Sequence, residues 1–137
     1  MLRLAWAGRV GAALTSARSA GPLTLRMDAG QEVGFGTKRG GVYPATQIGT
    51  VAFIRQAFLD AQYEARVDKA FKAGTPGARP SNDPFRRALM PAATNEMASW
   101  FVASTERLIA RVGEIAREMG LKGPVVVGSQ EGWRSIA

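Results

Sequence analysis

The chain has 137 residues, a length at which one domain is expected, and 46% of them are hydrophobic, enough to supply a core. It contains no cysteine and no histidine, which excludes disulfides, thiolate catalysis, Cys-type zinc sites and imidazole metal ligands. The net charge of +7 invites a nucleic-acid reading, but fourteen of the eighteen cations are arginines scattered from Arg3 to Arg134. They are adjacent only at Lys38-Arg39 and Arg86-Arg87 and form no stripe interleaved with aromatics, which describes a solvated surface.

Residues 1–21 form a region of their own, rich in Ala, Gly and Ser. Arg3, Arg9 and Arg18 lie in it and Arg26 follows, with no acid before Asp28. A targeting segment would want a longer apolar run than Leu4 to Gly8, which Arg9 interrupts; the expectation is an irregular, frayed extension. A periplasmic or secreted setting stays open. No apolar run approaches the ~18 residues of a membrane span.

From Leu23 to Met27 apolar and polar residues alternate, the period of a half-buried strand. Asp28-Ala29-Gly30 reads as a turn, Val33–Gly36 as a second short strand and Lys38–Gly41 as a loop. A long amphipathic helix is expected from about Gln47 to Ala73, with Ile48, Val51, Ile54, Phe58, Ala61 and Ala65 on its apolar face and Gly74 and Pro76 ending it. Asp60 and Glu64, four apart, read as part of its solvated face. Thr75 to Pro84 is a linker; Asp83 then caps a short helix that begins at Pro84 and is limited by Pro91. Ala98–Ala103 is a buried strand, and Ser104 or Thr105 caps a helix with Leu108, Val112, Ile115 and Met119 as its stripe and Gly120 as its stop. Pro124–Gly128 reads as a fully buried strand of a parallel sheet, and Gln130–Ile136 opens another helix. Residues 97–128 therefore spell a β-α-β unit, and the fold class is α/β. A chain that stops as its next element begins is expected to be a piece of a larger domain.

Tyr43-Pro44-Ala45-Thr46-Gln47-Ile48-Gly49 followed by Ile54-Arg55-Gln56 and Asp60-Ala61 resembles the amidohydrolase superfamily, in particular the bacterial branch related to imidazolonepropionase. Arg79-Pro80, Ala88-Leu89-Met90-Pro91, Trp100–Ala103, Glu118–Leu121 and Val125–Arg134 continue the likeness in order, over roughly residues 22–137. The resemblance implies a partial (β/α)8 metal-dependent-hydrolase barrel with a long helix. In the whole enzyme a metal-bound hydroxide would attack the carbonyl of a small amide or cyclic amide. It also implies a zinc-type divalent metal whose ligands lie outside this chain: a His-x-His motif would fall before Met1 and further ligands and the catalytic Asp after Ala137. Where relatives often carry an acid or a histidine on the strand at Phe101-Val102-Ala103, this chain has Val102. The chain is thus expected to supply scaffold and pocket wall, with no catalytic residue and no metal ligand, and to be inactive alone.

In such a barrel functional groups sit at the C-terminal ends of strands. That selects Gln130 and Glu131 as substrate-binding candidates, Glu131 also reading as a carboxylate facing a helix dipole. Arg55 is the third candidate, either a clamp on a substrate carboxylate or a structural ion-pair residue. Two other readings remain: a small basic interaction or nucleic-acid-binding protein with a clustered positive face, and a subunit that completes a barrel with another chain through exposed sheet edges.

Overall fold

A computed structural model of the chain describes residues 7–13, 24–37 and 43–135, with side chains from residue 29 onward. Four strands form one sheet in the order β1 (Ala7–Ala13), β2 (Thr24–Gly34), β3 (Ala98–Val102) and β4 (Val125–Val127). β1 runs antiparallel to β2, whereas β2, β3 and β4 are mutually parallel. Between β2 and β3 come helices α1 (Gln47–Lys72) and α2 (Pro84–Ala93); α3 (Glu106–Met119) joins β3 to β4. This is an α/β arrangement with a three-stranded parallel sheet, and β3-α3-β4 is the β-α-β unit expected over residues 97–128.

The helix ends follow local chemistry. Thr46 caps α1 by accepting from the Gly49 N–H at 3.1 Å; Asp83 caps α2 by accepting from Phe85 at 2.9 Å, with Pro84 in the first helical position. Thr105 caps α3, and Gly120 ends it at φ 65°, a left-handed conformation that suits glycine. On the sheet, Phe35 and Phe58 each stack on Phe101, at 6.2 and 6.3 Å between ring centres. Ile54 and Leu89 from α1 and α2, and Val112 and Ile115 from α3, complete this core. At the opposite end of the sheet Asn95 donates to the Gly120 carbonyl at 3.1 Å and accepts from the Lys122 N–H at 2.7 Å, tying the entry of β3 to the entry of β4.

Several expectations are corrected. Asp28-Ala29-Gly30 is no turn: β2 runs unbroken through it. Gly30 serves another purpose, because a Cβ there would lie 2.5 Å from the Trp100 indole. Residues 7–13, read as irregular, form β1; small residues gave little periodicity to detect. Ile48 is 84% exposed and lies off the apolar face. At 3.6 residues per turn it projects roughly 120° from Ile54, the centre of that face. Glu64 is buried and accepts from the Ser81 N–H of the linker, so it is no part of a solvated face. Pro91 does not stop α2, which continues to Ala93; so close to the end of the helix, its missing N–H leaves only one bond unmade. Beyond Gln130 only a 3-10 turn, Gly132–Ser135, forms, and Ile136 and the loop at 38–41 lie outside the described residues.

β4 departs furthest from its expectation. It was read as fully buried, yet Val125 and Val127 are each 38% exposed. Alternation explains which face is open. Val33, Phe101 and Val126 point to the helices, whereas the rows Glu32–Trp100–Val125 and Gly34–Val102–Val127 point the other way. Among the described residues nothing covers that second face, and Val102 on it is 36% exposed.

Candidate functional site

The C-terminal ends of β2, β3 and β4 bring together Phe35-Gly36, Ala103-Ser104-Thr105 and Ser129-Gln130-Glu131. The last two segments are bonded. The Glu131 N–H donates to the Ser104 carbonyl at 3.1 Å, and the Glu131 carboxylate accepts from the Glu106 N–H at 3.0 Å. Glu131 thus sits at the N-terminus of α3, where the unpaired N–H groups and the helix dipole favour negative charge. That is the dipole-facing geometry, with one carboxylate oxygen, Oε2, taken by the helix N–H. Gln130 is exposed, its backbone N–H turned back to the Gly128 carbonyl at 2.7 Å.

Arg55 lies elsewhere. It projects from α1 to α3 and grips Glu118 through two nitrogens, the Nη2–Oε1 contact being 2.8 Å. The bidentate bond pushes Arg55 up and holds Glu118 below the usual carboxylate range. Arg55 also lines a groove of about 560 Å³ between α1 and α3, with Val51, Leu108 and Arg107. No hydrogen bond or ion pair joins Arg55 to Gln130 or Glu131, so the three sequence candidates do not converge on one point.

Reading the sequence missed Glu32. It lies in register with Trp100 and Val125 on the uncovered face, and burial raises its carboxyl above the ordinary range. The supposed turn at residues 28–30 hid the alternation that would have found it. Val102 lies on the same face, two residues further along β3 from Trp100.

The described residues do not by themselves offer a divalent metal a site. There is no histidine or cysteine, and among the described residues no group of three or more Asp or Glu is placed to hold a metal ion.

No family model and no curated protein matches the chain. The solved structure of an amidohydrolase from Thermotoga maritima MSB8 superposes with a TM-score of 0.63 at 21% identity. The match covers 86% of this chain and 33% of that one, so the chain spans about a third of the length of that protein. The likeness is one of fold: the described arrangement of helices and parallel strands is amidohydrolase-like.

Proposed function

We propose that this chain is part of an amidohydrolase-like, metal-dependent hydrolase of the imidazolonepropionase-related branch, acting on the C–N bond of a small amide or cyclic amide, and that it is inactive alone. The observation that carries this reading is the order of the parallel strands. β2, β3 and β4 are neighbours in chain order, and their helices pack on one face of the sheet. A parallel sheet wound in one direction, with helices on one side, buries its other face by continuing around into a barrel. The likeness to about a third of an amidohydrolase fits such a partial (β/α)8 unit. In this reading the chain contributes barrel wall, with Gln130 and Glu131 at the rim of the pocket. The zinc-type metal and the groups that move protons belong to segments beyond these residues.

Translating the DNA on both sides of the reading frame tests it. A His-x-His motif upstream and further His and Asp motifs downstream are expected, and the joined protein should hydrolyse cyclic amides when supplied with zinc. Unrelated flanks would overturn the reading.

A further inference from the structure

A second groove, of about 640 Å³, lies between the C-terminal half of α1 and α2, outside the sheet and apart from the strand ends. The apolar part of its lining is Ala65, Met90 and Pro91. The cations on its walls are unevenly compensated. Lys72 pairs with Asp68 at 2.6 Å, and Arg66 stands 6.0 Å over the ring of Tyr63. Lys69 on α1 and Arg87 on α2 have no carboxylate partner among the described residues. Lys69 lies in the last turn of α1, where a cation faces free carbonyls and needs no other explanation. Arg87 has no such role. It lies in the first half of α2, the end at which the helix dipole opposes positive charge. Its neighbour Arg86 meets the same opposition but is balanced by Asp60 at 3.2 Å and Asp83 at 3.4 Å. Glu96 is the remaining acid on the lining, so the cations without a carboxylate outnumber it.

We propose that this groove binds a small amphipathic anion, an apolar body carrying one carboxylate. The body rests on Ala65, Met90 and Pro91, and the carboxylate lies between Lys69 and Arg87. The volume falls within the ~300–1,000 Å³ of small-molecule sites. The lining has no aromatic ring on which a nucleobase could stack, which argues against a nucleic acid.

Equilibrium dialysis of the purified chain with radiolabelled 4-phenylbutyrate, and in parallel with uncharged 4-phenylbutyramide, tests this. The carboxylate should bind about tenfold more tightly than the amide, the scale expected of two partly solvated charge contacts. Lys69→Ala/Arg87→Ala should abolish that preference, Lys69→Arg should keep it, and Val102→Asp on the uncovered sheet face should leave it unchanged. Both alanine positions are exposed, so the double variant should retain the wild-type far-UV circular dichroism. Equal binding of the two probes, loss of binding in Val102→Asp, or no binding at millimolar probe would each overturn the proposal. None of these outcomes bears on the hydrolase reading, which rests on the sheet.

Discussion

Gly30 and Trp100 form the tightest small-to-large fit across the sheet. The indole occupies the space in which any other residue at position 30 would place its Cβ. Gly30→Ala should destabilise the chain by about 1–3 kcal/mol, as overpacking does, and shift the Trp100 fluorescence; the denaturation midpoint and the emission spectrum read both. Glu118 gives a pH dependence. Its carboxyl is held below the ordinary range by the Arg55 hydrogen bonds, so its contribution is present above the unfolded value and is lost as pH falls through the folded one. Glu118→Gln should therefore flatten the acid limb of a plot of Tm against pH while leaving its neutral region nearly level; an unchanged acid limb would remove the pair from the account. Glu32 works in the opposite sense. Burial raises its carboxyl, so its charged form weighs against folding above the folded value, and acid relieves that burden.

At the scale of elements, what was legible in the sequence is what local chemistry decides. Asp83-Pro84 and Thr105…Gly120 mark helix ends because their side chains and backbone conformations act within a turn. Thr105→Ala should cost about 1 kcal/mol, measurable by urea denaturation, since it removes the acceptor for the Leu108 N–H. Strands read less well, because pairing depends on distant residues. The Asp28–Gly30 signal is correct turn chemistry overridden by a partner, Trp100, about seventy positions away. β1 carries too few large side chains to show alternation, and the exposure of β4 depends on what lies beside it. Of the candidate site, Glu131 was found at a strand end, where it meets α3. Glu32 was not found, because its register was lost with the false turn.

Among the described residues the sheet has one dressed and one bare side. Its bare side presents Trp100, Val102, Val125 and Val127 beside the Glu32 carboxylate, and among the described residues β4 leaves a free edge with no charged side chain in the strand. Through this face the isolated chain should self-associate, binding a hydrophobic dye and sedimenting as mixed oligomers. Val125→Lys/Val127→Lys should shift it toward monomer in sedimentation velocity. A purified wild-type chain that stayed monomeric and bound no dye would contradict this and weaken the partial-barrel reading.

The Asn95 clamp makes the two ends of the sheet unequal in what one substitution can undo. Its two bonds to Gly120 and Lys122 fasten the loops at the end where the parallel strands begin. At the other end, one carboxylate and one backbone bond join the segments after β3 and β4. Each end is thus held by two bonds, but one side chain, Asn95, carries both at the strand starts, whereas at the strand ends the Glu131–Ser104 bond is backbone to backbone and outlasts loss of the Glu131 side chain: a single substitution unfastens the first end and only loosens the second.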